Sequence, residues 1–238
     1  MCGRITLSAS AAEIAAGFAL EVESLRERDG GDLRPRFNVA PSQDLLTVTL
    51  DAAGGRRVGW RRWGLVPAWA EDSSIGARLF NARSETVAEK PSFRAAFRSR
   101  RCVVVADGFY EWTSRARDHR PHHLRARDGS LLGLAGLHEL WQGPDGAKIE
   151  SCTVLTTEAN RDVAWIHPRM PVILDDRGVE AWLEPGSDVE RLSAWLAPAA
   201  EGLLESRPVS RRVNDPRRDD VECLAVDHGV EQQPGLFP

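Results

Sequence analysis

The amino-acid sequence predicts an α+β fold in a single domain whose strands are mostly antiparallel. Its 238 residues, of which 42% are hydrophobic, are enough to bury the core of one large domain or two small ones. Several segments rich in valine and leucine are bounded by turn-forming residues, which is typical of strands. The helical segments are few and do not alternate regularly with those strands, so a parallel sheet of strand–helix–strand units is not favoured.

Four segments are predicted as strands because they are rich in valine and leucine and are bounded by turn-forming residues. They are residues 45–50, 101–106, 131–137 and 151–156. Residues 21–32 are charged, contain glycine and precede the first of these strands, so they are predicted as a loop.

Capping boxes mark two of the predicted helix starts. Ser10 with Glu13 opens a helix that extends to about residue 20, and Ser187 with Glu190 opens one that extends to residue 196. Two more helices are predicted over residues 91–100 and 179–183. Residues 227–238 contain Gln, Pro and Gly and are predicted to form a flexible tail behind a domain of residues 1–226.

Two classes of protein are disfavoured by the distribution of apolar residues. No apolar run approaches the roughly 18 residues that a membrane-spanning helix needs. Arg4 and Glu13 interrupt the only region that resembles a signal peptide. We therefore expect a cytoplasmic protein that does not bind membranes.

The cysteines and histidines do not form a metal-binding pattern. Cys2, Cys102, Cys152 and Cys223 are widely separated and include no C-x-x-C pair, so reduced thiols are expected and zinc is not. His119, His122 and His123 are close in sequence, and a solvated polar loop is the favoured interpretation of that cluster.

Charge leaves the question of nucleic-acid binding open. The formal net charge is −4, which excludes a globally basic nucleic-acid coat. The arginines nevertheless cluster, and a local basic groove depends on the patch rather than on the total. Solvated charged faces are the alternative. The clusters are Arg56, Arg57, Arg61 and Arg62; Arg94, Arg98, Arg100 and Arg101; and Arg211, Arg212, Arg217 and Arg218.

The second residue offers chemistry that depends on its position. Residue 2 is small, so removal of Met1 is expected, which leaves Cys2 with a free α-amine. At neutral pH roughly 300-fold more of such an amine is unprotonated than of a lysine amine. It can form a Schiff base with a carbonyl, and the adjacent thiol can then close a thiazolidine ring. The alternative is that Cys2 is a small apolar residue at the start of a strand.

A second class of enzyme also begins with Met-Cys-Gly. In the N-terminal-nucleophile cysteine amidohydrolases the α-amine is the general base and the thiol attacks an amide. Those domains usually carry an Arg-Gly stretch and an Asn-Gly-Glu-Ile-Tyr-like strand downstream, and neither is present here. An amidohydrolase or protease remains an alternative.

Five predicted loops mix aromatic, proline and polar residues, as functional loops on a rigid scaffold do. They are residues 36–41, 63–69, 80–83, 107–112 and 167–171. They belong to a series of ordered motifs. The series is Met-Cys-Gly-Arg at 1–4, Asn-Val-Ala-Pro at 38–41, Trp-Gly-Leu-Val-Pro-Ala-Trp at 63–69, Asn-Ala-Arg-Ser-Glu at 81–85, Asp-Gly-Phe-Tyr-Glu-Trp at 107–112, Leu-Thr-Thr-Glu-Ala-Asn at 155–160 and His-Pro-Arg-Met-Pro at 167–171.

In these motifs the sequence resembles the SRAP family, the SOS-response-associated peptidases or abasic-site-processing proteins, from residue 1 to about residue 215. The resemblance implies a partly closed, barrel-like β core with peripheral helices. It also implies that Cys2 captures the aldehyde of an abasic site as a thiazolidine. By the same resemblance Asn81, Glu111 and His167 are catalytic, Arg4 and Arg83 hold DNA phosphates, Pro41 and Trp69 lie near stacked bases, and Asn38 lines the same pocket.

Each of these assignments has a chemical rationale and a simpler alternative. Glu111 among aromatic residues could stay protonated and open the sugar ring, or could be a solvated carboxylate. His167 could move protons at the sugar hydroxyl or during reversal, or could be a hydrogen-bonded structural histidine. Asn81 could hold Cys2, or could form a turn. The remaining tryptophans, Trp60, Trp63, Trp141, Trp165, Trp182 and Trp195, are assigned to packing.

The function implied is covalent capture of abasic sites in single-stranded DNA, which shields the lesion during the SOS response. Met1 would be removed by the protein itself or by an aminopeptidase, and an AP-lyase-type activity is compatible with a Schiff base. Neither metal nor organic cofactor is expected, and the protein is expected to be a monomer that associates with the nucleoid when bound to DNA. The alternative to both chemistries is a non-covalent reader of modified bases.

Overall fold

The computed structural model describes residues 2–113, 119–144 and 146–227. The predicted tail, apart from residue 227, lies outside them. The strands are β1 (Ile5–Leu7), β2 (Arg36–Val39), β3 (Asp44–Leu50), β4 (Arg56–Trp63), β5 (Asn81–Arg83), β6 (Arg101–Ala106), β7 (Gly108–Trp112), β8 (Pro121–Ala126), β9 (Leu132–Gln142), β10 (Lys148–Glu158), β11 (Arg169–Pro171), β12 (Ile173–Leu174) and β13 (Leu204–Pro208). The α-helices are α1 (Ala11–Phe18), α2 (Arg94–Ser99), α3 (Arg161–Ala164), α4 (Asp176–Leu183) and α5 (Val189–Ser193). Short 3₁₀ helices span Val22–Ser24, Ser73–Arg78, Arg211–Asn214 and Val221–Leu224.

Five strands close into a barrel. β4, β3, β6, β9 and β10 follow one another around the ring, and β10 closes it by pairing with β4 as well as with β9. Every pair in the ring is antiparallel except β10 with β4, where Ser151 lies opposite Arg62. The predicted α+β fold with mostly antiparallel strands is confirmed, and the barrel is closed rather than partly closed.

A second antiparallel sheet carries the start of the chain. Its strand order is β13, β8, β7, β1 and β2, so β1 lies between β2 and β7. Side chains alternate between the two faces of a strand. On β7 this directs Phe109 towards the apolar cluster that contains Cys2 and Ile5, and Tyr110 towards a smaller cluster on the other face. Glu111 follows Phe109 on the first face.

Strand β10 connects the barrel to two short strands. It pairs in parallel with β5, where Val154 lies opposite Asn81, and antiparallel with β11, where Glu158 lies opposite Arg169. Residues far apart in sequence are therefore placed at the same end of β10.

Helices α1, α2, α4 and α5 pack in one apolar cluster against the barrel, and a buried arginine joins α2 and α4 to it. The largest apolar cluster includes Phe97 of α2 and Trp182 of α4, whose rings lie 5.8 Å apart. Arg101, in the first position of β6, is 6% exposed. Its guanidinium donates to the main-chain oxygens of Trp182 (2.6 Å), Phe97 (3.0 Å), Arg98 (2.6 Å) and Glu184 (2.6 Å).

Arg101 is therefore a structural residue and not part of a solvated arginine cluster. We expect Arg101→Ala to lower the free energy of unfolding by about 3 kcal/mol, because carbonyl groups at the ends of α2 and α4 lose their donors in a buried site. Urea denaturation measures this. Arg98→Ala, at an exposed position of α2, should change stability by less than about 0.5 kcal/mol, and equal effects of the two substitutions would contradict the assignment.

Several predicted loops are strands in the structure. Residues 36–39, 81–83, 108–112 and 169–171 form β2, β5, β7 and β11, and residues 63–69 alone lack regular structure beyond their first residue. These segments are short and mix polar with apolar residues, so pairing to distant strands decides their conformation. The predicted polar histidine loop is also wrong, because His122 and His123 are buried on β8.

Other element boundaries differ modestly. The capping box of α1 is present and the helix ends at Phe18. The cap of α5 is Asp188 rather than Ser187, because the Asp188 carboxylate accepts from the Arg191 N–H at 2.7 Å. The predicted strands 131–137 and 151–156 extend into the long pair β9 and β10, and the predicted helix 91–100 shortens to α2.

No helix in the described ranges is long and apolar enough to cross a membrane. The same residues contain no group of three or more His, Cys, Asp or Glu side chains arranged to hold a metal ion.

Candidate active site

The second residue is held at its carbonyl group by an asparagine. Asn81 Nδ2 donates to the Cys2 main-chain oxygen at 2.6 Å. Strand β5 pairs with β10, where Asn81 lies opposite Val154, and this pairing fixes the position of Asn81. The Asn81 Oδ1 atom is buried and accepts no hydrogen bond from the described residues. This amide therefore has an acceptor left over beside Cys2.

The Cys2 side chain is fully buried in an apolar cluster. Burial raises the pKa of its thiol far above the ordinary range, and the nearby Glu111 carboxylate raises it further. Its Sγ donates weakly to the Arg4 main-chain oxygen at 3.9 Å, just before β1, and is shielded from solvent. The thiol is therefore neutral at physiological pH, and it becomes a nucleophile only when a neighbouring base takes its proton.

Glu111 is the buried carboxyl group of the site. It is 2% exposed on β7, directly opposite His122 of β8. Burial raises its pKa to about 7, because the charged form loses hydration. At neutral pH this carboxyl group is therefore present in both acid and base forms, as a group that transfers protons needs to be.

His167 lies next to that carboxyl group. Its Nδ1 is 3.9 Å from Glu111 Oε1 and accepts the Arg169 main-chain N–H at 3.0 Å. The Arg169 main-chain oxygen also lies 3.2 Å from Nδ1, so Arg169 offers a partner to either tautomer of the ring. Burial lowers the pKa of His167, which favours the neutral ring. A neutral imidazole has one nitrogen that donates and one that accepts, as a group that moves protons at a hydroxyl group needs.

The pKa of Glu111 also makes stability depend on pH. Because the folded pKa of about 7 lies above the ordinary 4.5, the native state binds more protons than the unfolded state between those values. The free energy of unfolding should therefore fall as pH rises from about 4.5 to 7, by up to about 3 kcal/mol from this group alone.

Glu111→Gln should remove this contribution, so the variant gains stability relative to the unsubstituted protein as pH rises through that window. Thermal or urea unfolding at pH 5 and pH 8 measures the difference. Glu205→Gln, on an exposed ion pair with Arg125, is the matched control and should show no such trend. A constant difference between the two proteins across pH would contradict the assignment.

Arg4 and Asn38 form hydrogen bonds with each other and with main-chain oxygens between residues 213 and 218. The Arg4 guanidinium donates to Asn38 Oδ1 (2.8 Å) and to the Val213 oxygen, and it lies 5.9 Å from the centre of the Trp112 ring. Asn38 is fully buried, and its amide donates to main-chain oxygens between residues 213 and 218. The structure thus places Asn38 beneath the surface, where it positions Arg4.

An open concavity of about 560 Å³ reaches the start of the chain at Gly3, and its walls include none of Cys2, Asn81, Glu111 and His167. Its walls are Gly3, Arg4, Pro41, Phe80, Trp112, His119 and Asn214. Of the sequence-predicted DNA contacts, Arg4 and Pro41 thus share one wall. Arg83 is exposed at the end of β5, and its side chain forms no ion pair or hydrogen bond with the described residues. Trp69 is 59% exposed and lines a separate shallow depression with residues 70–78.

One tryptophan assigned to packing is exposed instead. Trp63, Trp141 and Trp182 are buried, and Trp60 and Trp195 are partly buried against the large apolar cluster. Trp165, in contrast, is 58% exposed, and it contacts His122 close to Glu111. The sequence contained one signal that Trp165 is functional, which is its position two residues before His167, a predicted catalytic residue. His122 was missed because its partner strand could not be predicted.

The sequence profile described as SOS response associated peptidase (SRAP) matches residues 1–216. Among similar proteins, abasic site processing protein YoqW of Bacillus subtilis is 40% identical over 226 residues, which are 94% of this chain and 99% of that protein. Abasic site processing protein HMCES of Gallus gallus is 34% identical, over 98% of this chain and 80% of that protein.

Solved structures agree in fold. A protein from Bacteroides thetaiotaomicron superimposes with a TM-score of 0.82 at 24% identity, over 95% of this chain and all of the other. A protein from Bordetella bronchiseptica superimposes with a TM-score of 0.74 at 25% identity, over 88% of this chain and all of the other.

Proposed function

Because this chain belongs to the SRAP family, as its sequence motifs predicted, we propose that it processes abasic sites in DNA by capturing them covalently at Cys2. The relatives YoqW and HMCES carry the name abasic site processing protein. The observation that supports the proposal most directly is the geometry around Cys2. Its carbonyl group is held by Asn81, while a carboxyl group with a pKa of about 7 lies beside a neutral imidazole.

The proposed reaction begins with the removal of Met1, since the nitrogen of Cys2 is otherwise an amide. The ring-closed deoxyribose of the abasic site must then open to its aldehyde. The protonated Glu111 donates its proton to the ring oxygen as the bond between that oxygen and C1′ breaks. The C1′ hydroxyl group, hydrogen-bonded to the His167 ring, loses its proton to water and becomes the aldehyde. The mixed protonation of Glu111 at neutral pH is what makes it suited to this step.

Covalent capture then takes two bond-forming steps. The Cys2 amine adds to the aldehyde carbon, and the resulting carbinolamine loses water to give an imine. The Cys2 thiol adds to the imine carbon as the Glu111 carboxylate takes the proton of the thiol, and Glu111 passes that proton to the nitrogen, which becomes the amine of the thiazolidine ring. The net reaction joins protein and DNA with loss of one water molecule. Reversal of the same steps, with strand cleavage from the imine as a side reaction, would give the AP-lyase-type activity.

DNA is proposed to bind through phosphates and stacking rather than through base sequence. The Arg83 side chain is exposed near Asn81 and forms no ion pair with the described residues, so it can fork onto a phosphate without first breaking one. Arg4 and Pro41 line the concavity that begins at Gly3, and Trp69 presents an open face. We propose single-stranded DNA as the partner and a monomer as the working unit. The site requires neither metal nor organic cofactor for this chemistry.

Intact mass spectrometry tests the proposal. The protein is mixed with an oligonucleotide whose single uracil has been removed by uracil glycosylase. We expect a protein lacking Met1, and a product whose mass equals protein plus oligonucleotide minus one water molecule. A protein that turns over amide substrates and gives no such product would instead be the N-terminal-nucleophile hydrolase that the Met-Cys-Gly start also permits.

A further inference from the structure

Trp165 is an exposed aromatic side chain whose orientation is fixed. Its ring stands almost perpendicular to the His122 ring, at 85° and 4.9 Å between centroids. Its Nε1–H donates to the Asp162 main-chain oxygen at 3.1 Å. More than half of its surface is nevertheless open, at 58% exposure. An exposed ring held from two sides has already lost the rotational freedom that binding would otherwise cost.

The segment that carries Trp165 is itself anchored. The Asp162 carboxylate accepts the main-chain N–H groups of Gly202 (2.9 Å) and Leu204 (3.1 Å), and Asn160 caps α3. The Asn160 amide also donates to the Ala199 oxygen at 3.1 Å. The tryptophan therefore sits on a rigid turn rather than on a loose loop.

Trp165 lies next to the proton-transfer groups. Its contact, His122, is directly opposite Glu111 on the neighbouring strand, and opposite residues of an antiparallel pair share one face of the sheet. His167, whose ring lies 3.9 Å from the same carboxyl group, follows two residues later. The exposed indole is thus one side chain away from the place where the abasic sugar would react.

We propose that Trp165 is a stacking platform for one of the two nucleobases that flank the abasic nucleotide. This inference rests on the proposed function. An abasic nucleotide has no base, so each flanking base has one face without a stacking neighbour. An immobile indole at the edge of the site can cover that face, and a base stacked on an aromatic side chain in single-stranded DNA contributes roughly 5- to 100-fold in affinity.

A double-mutant cycle with modified DNA tests this contact. The lesion is a tetrahydrofuran analogue, which has no aldehyde, so binding is measured without reaction. In two further oligonucleotides the base on the 5′ or the 3′ side is also replaced by tetrahydrofuran. We expect Trp165→Ala to weaken binding 5- to 100-fold when both flanking bases are present. Removing the flanking base that stacks on Trp165 should weaken binding by the unsubstituted protein to the same extent as the substitution does. Removing that base should not weaken binding by Trp165→Ala any further.

Two outcomes would overturn the inference. One is an affinity of Trp165→Ala within twofold of the unsubstituted protein, and the other is additive losses for both flanking bases. Trp165→Phe supplies a further test, because a smaller aromatic ring should retain most of the stacking. A loss of affinity as large as that of Trp165→Ala would count against the inference. Melting temperature and circular dichroism establish that each variant is folded.

Leu140→Ala is the matched control. Leu140 is 51% exposed on β9, opposite Glu150 of β10, six residues along that strand from the end that carries the site. That spacing corresponds to roughly 20 Å. Its substitution should leave binding unchanged. With saturating abasic DNA, Trp165→Ala should still form the adduct. If the unsubstituted protein forms none, the proposed function fails, and the binding cycle still reports on Trp165 independently.

Discussion

Cys2→Ala should abolish the heat-stable protein–DNA adduct, with a loss of at least 10³-fold in its yield. The alanine variant keeps an α-amine that can form an imine, but it has no thiol to close the ring. Its product should therefore hydrolyse on heating and survive only when borohydride reduces the imine. Denaturing gels of an abasic oligonucleotide, heated with and without prior reduction, measure the difference.

The controls separate the amine from the thiol. A chain with one extra residue ahead of Cys2 keeps the thiol but has no α-amine there, and it should give no adduct under either condition. Intact mass must first show that Met1 is absent from the alanine variant. A heat-stable adduct of Cys2→Ala as abundant as that of the unsubstituted protein would mean that thiazolidine formation is not the mechanism. Unsubstituted protein that binds abasic DNA but forms no heat-stable adduct would favour a non-covalent reader.

Glu111→Gln should slow adduct formation by about 10²- to 10⁴-fold, the usual contribution of a positioned general acid or base. The pH dependence is the sharper test. Ring opening needs protonated Glu111, whose pKa is about 7, and capture needs the unprotonated amine, whose reference pKa is about 7.7–8.0. The first fraction falls with rising pH and the second rises, so the rate should pass through a maximum between these values.

The glutamine variant should lose the decline on the alkaline side, because its amide does not titrate. Its slower rate should rise with the fraction of free amine and then level off. Single-turnover rates from pH 5.5 to 9.5 measure both profiles. An oligonucleotide bearing a preformed, open-chain aldehyde should restore much of the rate of Glu111→Gln, and no recovery would place Glu111 after ring opening. Glu205→Gln, at a partly exposed position on β13, should keep the bell shape.

The parts of the fold that sequence predicted are those decided locally. β6 was predicted with its observed bounds because its valines are contiguous and its neighbours are turn formers. α1 was predicted from its capping box. β5 and β7 were interpreted as loops, because each becomes a strand only through pairing with β10 or with β1 and β8. Such pairing is not encoded within a window of a few residues.

The candidate site shows the same division. The resemblance identified Cys2, Asn81, Glu111 and His167. The distances between these residues and the burial of the Glu111 side chain, however, depend on three separate strand pairings. Trp165 was assigned to the core because tryptophan is buried on average. Its exposure and its contact with His122 both depend on tertiary packing, which no local pattern reveals. Asn38 shows the converse, since a residue predicted in a pocket wall forms hydrogen bonds beneath it.

Strand β10 pairs with β5, which carries Asn81, and with β11, which begins two residues after His167. It therefore aligns two of the proposed catalytic residues. Strand register changes only in whole residues, and a slip of one would invert every side chain. The site is therefore expected to persist intact until β10 separates from its neighbours. In hydrogen–deuterium exchange, the amides that bridge β5, β10 and β11 should then open together, as one cooperative unit near the free energy of global unfolding.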